Sequence, residues 1–367
     1  MDPQDQFCHN PDCSDRGQRG LGNICIHSRK EQRYCCSTCG RTFAATRGTP
    51  FYRLRTATDV VTLVLTLLCH GCPLQAIVAA FGFDERTVAQ WQARAGEHCQ
   101  EVHQHLVEQG QVELGQVQAD ELWVKLVGKR LWMAMALAVP SRLWLGGVIS
   151  PHRDRVLITE LVQKARARSL AILVCVDGLA SYVTAFLRVF RDPVRTGRRG
   201  RPRLIVESDL LIGQVIKRYA RRRVVKVVHR VVRGTATAKV LKATGGTVIN
   251  TAYIERLNAT FRSALAPLAR RGRAIAHTEA VLTAGMYLVG WAYNFCWSHD
   301  SLRLAAPENT PRKWQERTPA MAAGLTNHRW TLRELLLLKV PLPPWVAPKR
   351  RGRPPKLKPQ PEMAMAA

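Results

Sequence analysis

Between Asp59 and Cys69 nearly every position is apolar, and Gly71-Cys72-Pro73 then breaks the run. Leu74, Ile77, Val78 and Phe81 follow at i, i+3, i+4 and i+7, the single stripe of an amphipathic helix. Gly82 suits a left-handed helix stop, and Asp84 suits the cap of a next helix carrying Val88 and Trp91. Two helices joined by a short glycine-containing turn predict a helix-turn-helix over 56–98. The polar stretch 99–114, rich in Gln, Glu and His, reads as a connector helix.

The pattern then changes period. Runs at 116–124, 131–139 and 143–149 read as strands, and the second, Leu-Trp-Met-Ala-Met-Ala-Leu-Ala-Val, is apolar enough to be buried on both faces. A helix over 156–168, a short apolar strand over 170–176 ending at Asp177-Gly178, and a helix over 180–190 follow. Three strands, helix, strand, helix is an α/β layout with a mixed sheet and flanking helices, expected over 115–304. Helices are expected over 251–268, with Ile254, Leu257, Phe261, Leu265 and Leu268 on one stripe, and over 276–297, apolar nearly all round. The stretch 305–340 reads as a C-terminal extension, and 341–367, rich in Pro, Lys and Arg, as a disordered basic tail.

Charge narrows the partners. The chain has 367 residues, with 55 Lys plus Arg against 27 acidic residues and a formal net charge of +28. A field of that sign attracts polyanions, nucleic acid first among them. Thirteen of the basic residues and only two acids fall in 195–233, where the β-branched run Val-Val-Lys-Val-Val-His-Arg-Val-Val reads as a strand. No uninterrupted apolar stretch reaches membrane-spanning length, so no membrane helix is expected. The polar N-terminus carries no secretory signal, and eleven cysteines, an odd count clustered early, suit thiols and metal in a cytoplasmic protein.

Several motifs carry chemistry. Cys36 and Cys39, followed by Gly40, form a CxxCG knuckle, and Cys8 and Cys13 supply a second pair about twenty residues away. Four thiolates at this spacing suit one structural Zn²⁺ in a ribbon over 1–50, with Cys25, Cys35, His9 and His27 as rival ligands. Cys69 and Cys72 lie between helical patterns with no second pair nearby and read as core thiols. On the second helix of the helix-turn-helix, Glu85, Arg86, Gln90, Gln92 and Arg94 are placed to reach a major groove. Arg350, Arg351, Gly352 and Arg353 form the core of an AT-hook, with a similar copy at Arg199-Gly200-Arg201. Glycine lets the backbone sit at the floor of a narrow minor groove while arginines extend along it.

Metal-assisted phosphodiester chemistry needs carboxylates converging on a pair of metals about 4 Å apart. Asp120 sits in the first strand, with Glu121 as an immediate rival pointing to the opposite face. Asp177 ends a buried strand, where open α/β sheets place their sites. Glu255 lies on a helix whose Thr251, Asn258 and Arg262 share its polar stripe.

With these residues in place, the sequence resembles bacterial insertion-sequence transposases of the IS-one type, DDE-class enzymes with an RNase H-like core. The resemblance spans most of the chain. It includes the four-cysteine ribbon with Arg41-Thr42-Phe43, the helix-turn-helix, Asp120-Glu121-x-Trp123, Asp177-Gly178, Ile254-Glu255-Arg256-x-Asn258 and a late segment around His299 and Ser301-Leu302-Arg303. It implies an RNase H-like α/β fold behind a zinc ribbon and a helix-turn-helix. It also implies a catalytic triad of Asp120, Asp177 and Glu255 holding two Mg²⁺ or Mn²⁺, with Asp120 favoured over Glu121. Arg262, seven residues after the Glu, matches a basic family position. Implied partners are the element's terminal inverted repeats, target DNA and further copies of the chain at the bacterial nucleoid. The alternatives are a transposase-derived DNA-binding regulator and an RNase H-like nuclease that cuts without joining. One departure stands out: seventy-seven residues separate Asp177 from Glu255, more than in shorter members. The surplus is the basic stretch 195–233, which leaves the triad undisturbed if it loops out of the sheet, and which leaves the strand order after Asp177 open.

Overall fold

A computed structural model describes residues 2–110, 112–166, 172–195, 197, 200–221, 223–234, 248–269, 274–306, 311 and 313–347. The chain divides into two compact units, residues 1–47 with 341–367, and residues 48–340.

The first unit contains an antiparallel sheet of β1 (Ile24–Ser28), β2 (Arg33–Cys36) and β3 (Thr42–Ala44). Its small core holds Tyr34, Phe43, Ile24 and three of the ribbon cysteines.

The second unit begins with α1 (Thr58–Cys69), α2 (Leu74–Phe81) and α3 (Glu85–His103). Gly82 takes the left-handed conformation at φ 70°, and Asp84 caps α3 by accepting from the N–H groups of Arg86 and Thr87. The helix-turn-helix and the connector turn out to be continuous, because α3 runs without a break into a π-helical turn, Gln104–Glu108. Nothing in the sequence stops it: there is no proline, and the glycine in its path, Gly96, is a point of close packing.

The strands β4 (Gln116–Leu126), β5 (Lys129–Ala138) and β6 (Leu143–Ser150) form an antiparallel meander. Next come α4 (Arg155–Ala165), β7 (Ile172–Asp177) and α5 (Ala180–Val189). A small hairpin, β8 (Arg191–Val194) with β9 (Arg203–Val206), leads to β10 (Leu210–Ala220) and β11 (Arg223–Arg233). The six-stranded sheet has the order β11-β10-β7-β4-β5-β6, with β7 parallel to both β4 and β10 and the other neighbours antiparallel. A mixed sheet of this order with flanking helices is compatible with an RNase H-like core. The helix α6 (Ala252–Ala264) packs on β4 and β5, while α7 (Glu279–Trp291) packs on β6 and α3.

The basic stretch 195–233 does not loop out of the sheet. Its second half supplies β10 and β11, and Leu210–Val215 pairs residue for residue with Ile172–Asp177. The cause lies in Leu-Leu-Ile-Gly-Gln-Val, six consecutive buried positions enclosed by charge-rich sequence. One continuous core runs from Phe51 to Leu336 and joins the three N-terminal helices to the sheet. Among the described residues no helix is long and apolar enough to cross a membrane.

Candidate active site and candidate zinc centre

The strands β4 and β7 pair only as far as Ala119 opposite Val176. Asp120 is the next residue on one strand and Asp177 the next on the other, so both stand where β4 parts from the carboxyl end of β7. Carboxylate oxygens of Asp120, Glu121 and Asp177 lie within 4.8 Å of one another. Strand alternation alone would put Glu121 on the far face. Its longer side chain nevertheless brings its buried carboxylate beside those of Asp120 and Asp177. There it accepts the Tyr182 hydroxyl at 2.6 Å and pairs with Arg153. Arg153 also reaches Asp177 at 3.4 Å.

Glu255 arrives from α6. The amide oxygen of Gln118, a fully buried β4 side chain, accepts the N–H groups of Tyr253 and Ile254, both at 3.0 Å. The Gln118 amide donates to the Asn250 carbonyl at 2.8 Å. One side chain therefore fixes the start of the helix to the strand that carries Asp120. Glu255 accepts from Thr251 at 3.0 Å and pairs with Lys217 of β10. Asn258, one turn on, donates to Asp120 at 2.8 Å. Asp120, Asp177, Glu255, Lys217, Asn258 and Arg262 all line one cavity of about 670 Å³.

Burial pushes Asp120 up to about 7, and the negative charges of Glu121, Asp177 and Glu255 add to it against the opposing N–H of Glu121. The bond to Glu255 holds the Lys217 ammonium above its usual range. The donor set is all oxygen, with three carboxylates close enough to share one ion, so the residues fit a hard divalent cation.

Sequence reasoning did not find Gln118, Arg153, Tyr182 or Lys217. For Gln118 a signal existed, a polar residue inside a buried strand. For Arg153 and Lys217 none did, since both are ordinary cations until the fold aims them at carboxylates.

In the first unit, the sulfur atoms of Cys8, Cys13, Cys36 and Cys39 lie within 4.8 Å of one another. Cys8 and Cys39 are 3.6 Å apart, and Cys13 and Cys36 are 3.9 Å apart. A tetrahedral ion with sulfur at about 2.3 Å requires edges of roughly 3.8 Å, so the cluster fits zinc. Gly40, at φ 67°, donates its N–H to the Cys36 carbonyl and turns the knuckle. Cys25 and Cys35 face each other across β1 and β2 outside the cluster, and neither His9 nor His27 belongs to it. Cys69 is a buried core thiol and Cys72 packs against that core.

The remaining expected contacts are dispersed. Arg86 and Gln90 are exposed on α3, whereas Gln92 is buried and Arg94 donates to the Tyr52 carbonyl. Arg201 is exposed just before β9. Arg199, Arg350, Arg351, Gly352 and Arg353 lie outside the described residues.

Fold and site define a mixed α/β protein with an acidic cavity, suited to divalent cations, at the carboxyl ends of its parallel strands, and a separate four-cysteine cluster. No family model matches the chain, and no curated protein matches it. Among solved structures it is similar to a piggyBac transposase synaptic complex with hairpin DNA, at a TM-score of 0.34 and 7% identity. That match covers 63% of this chain and 63% of the other.

Proposed function

We propose that the protein is a DDE transposase of an insertion sequence, of the IS-one type, that cuts and joins DNA at the acidic cavity. The observation that carries this reading is the convergence of Asp120, Asp177 and Glu255, from three separate elements, on one cavity that also holds Lys217 and Arg262. Carboxylates suit the metals and the cations suit phosphate, in a chain of net charge +28. Asp120, Asp177 and Glu255 would hold two Mg²⁺ or Mn²⁺, which supply a more acidic nucleophile and a stabilised leaving oxygen.

The protein's own groups do the positioning. Asn258 orients the Asp120 carboxylate, and Gln118 sets the height of Glu255 over the strands. Lys217 and Arg262 hold the phosphates on either side of the reacting bond. Water attacks a phosphodiester at the element's end and the bond to the 3′ oxygen breaks; the freed 3′-hydroxyl then attacks a target phosphodiester in line and displaces the target strand's own 3′ oxygen, which leaves as a hydroxyl. No serine or tyrosine nucleophile is needed. The zinc ribbon, the helix-turn-helix with Arg86, and the basic segments around Arg201 and Arg350–Arg353 bind the terminal repeats and flanking DNA. Joining two ends calls for at least two copies of the chain on DNA.

The test is cleavage in Mg²⁺ of DNA carrying the inverted repeats that flank the gene. Wild-type protein should nick at the repeat ends and transfer the 3′ ends into a plasmid target. Asp120→Ala and Glu255→Gln should each lower cleavage at least a hundredfold while still retarding the DNA on a gel. Full cleavage by either variant would remove the triad, and nicking without transfer would favour a simple nuclease.

A further inference from the structure

Helix α6 lines two cavities. Glu255, Asn258 and Arg262 face the acidic one. Tyr253, Arg256, Leu257 and Thr260 face a second, of about 220 Å³, which shares no lining residue with the first. Its other walls are Arg142, from the connection between β5 and β6, and Tyr293, Trp297 and His299 from the segment after α7.

This second cavity has the makings of an anion site. The Arg142 guanidinium carbon sits over the Tyr253 ring, 3.8 Å from its centroid, and its Nε is shut off from solvent without a hydrogen-bond partner. Its backbone is held at φ 59°, a left-handed conformation uncommon for a non-glycine residue and often found at functional positions. Among the described residues neither Arg142 nor Arg256 pairs with a carboxylate, although Asp300 lines the same cavity. Both guanidiniums bear on His299, whose pKa is lowered by burial first and then by Arg256 and Arg142. Tyr293 is 7% exposed, and its hydroxyl makes no hydrogen bond among the described residues.

Two guanidinium forks that pair with no carboxylate among the described residues match the oxygens of a phosphate. The half-buried ring of Trp297, braced edge-to-face by the buried Tyr293, is an aromatic surface of the kind on which a base stacks. The cavity is smaller than the roughly 300–1,000 Å³ of an ordinary ligand cleft, so its size sets a ceiling of one nucleotide and leaves no room for a duplex. A helix is about 10–12 Å across, roughly three base steps of 3.4 Å, so the two faces of α6 suit one strand passing over it.

We propose that this cavity binds a single unpaired nucleotide of the DNA strand that crosses α6 from the acidic site, with its phosphate between Arg142 and Arg256 and its base against Trp297. The inference rests on reading the acidic cavity as a DNA site. It gives α6 a second task, to fix the spacing between the reacting bond and a held, unpaired nucleotide.

The test is fluorescence anisotropy with full-length protein and two labelled probes, a blunt duplex and the same duplex with a three-nucleotide single-stranded overhang. The variants are Arg142→Gln with Arg256→Gln, and Arg256→Lys alone. The double variant should bind the overhang probe at least tenfold more weakly and the blunt probe within threefold of wild type. Its salt slope on the overhang probe should fall by about 0.7, one single-strand phosphate, and Arg256→Lys should keep the wild-type slope. Equal losses on both probes, or none, overturn the proposal. A free deoxynucleoside monophosphate that displaces the overhang at micromolar concentration would also overturn it, making the ligand a free nucleotide. If the double variant does not fold, a bromodeoxyuridine overhang photocrosslinked to wild-type protein decides: crosslinks should map to Tyr253, Tyr293 or Trp297, and crosslinks elsewhere only overturn it. A protein that holds the overhang in this way but cuts nothing removes the catalytic reading alone. One that cuts normally and ignores both arginine changes removes this inference alone.

Discussion

Asp120 shows how burial and charge act together on one side chain. With an ordinary value of 3.8 and a folded value of about 7, the fold favours its protonated form. That contribution to stability is complete below about pH 4 and is lost as pH rises through 7. In magnesium-free buffer the melting temperature should therefore decline across this window. Asp120→Asn, which cannot ionise, should flatten the decline, and a variant with the wild-type slope would place the effect elsewhere. Mg²⁺ should raise the melting temperature more at pH 8 than at pH 5, because the metal competes with the proton. Glu121 is differently placed: its carboxylate is spent on Tyr182 and Arg153. Tyr182→Phe should cost about 1.5–3 kcal/mol in urea denaturation, the worth of a hydrogen bond to a charged group. A loss under 0.5 kcal/mol would mean that Glu121 is held by Arg153 alone.

Among the elements, α6 and α3 depend most on single contacts. Two N–H groups at the start of α6 end on the Gln118 carbonyl oxygen. Gln118→Ala should cost about 1–2 kcal/mol, as losing a helix cap does, and should displace Glu255 from Asp120. Calorimetry measures the first effect and Mn²⁺ affinity the second. Unchanged metal affinity would show that Lys217 and Thr251 suffice to place Glu255. On α3, a Cβ at Gly96 would come within 2.4 Å of Ala284 on α7. Propensity alone favours Gly→Ala in a helix by about 1 kcal/mol. Backbone overlap should win, and Gly96→Ala should destabilise by about 1–3 kcal/mol. A gain in stability would show that α3 and α7 can move apart. The periodicity at 85–103 made the helix legible. It could not reveal that this helix packs against α7, since that depends on the small residues of α7.

Over the whole molecule the two compact units carry separate cores. The first has few apolar residues, and four thiols stand at its centre. Removing zinc with a chelator, or replacing Cys36 with Ser, should therefore unfold the ribbon, while the main transition of residues 48–340 stays within a few degrees in calorimetry. Collapse of both together would mean that the units share their stability.

By itself the sequence determined the meander of β4 to β6, the strands β7 and β11, the main helices, the four-cysteine cluster and the three acids with their polar helical stripe. Each of these rests on local period, spacing or a residue out of character with its surroundings. The tertiary structure decided what depends on distant partners. It placed Leu210–Val215 of the basic insertion beside β7, because six consecutive buried positions there pair better than they loop. It aimed Lys217 and Arg153 at carboxylates far off in the chain, and it tied the start of α6, which carries Glu255, to β4 through Gln118. It also gave α6 a second face, where Arg142 and Arg256 meet around a cavity although 114 positions separate them along the chain. Convergence of that kind comes from packing, and no local pattern records it.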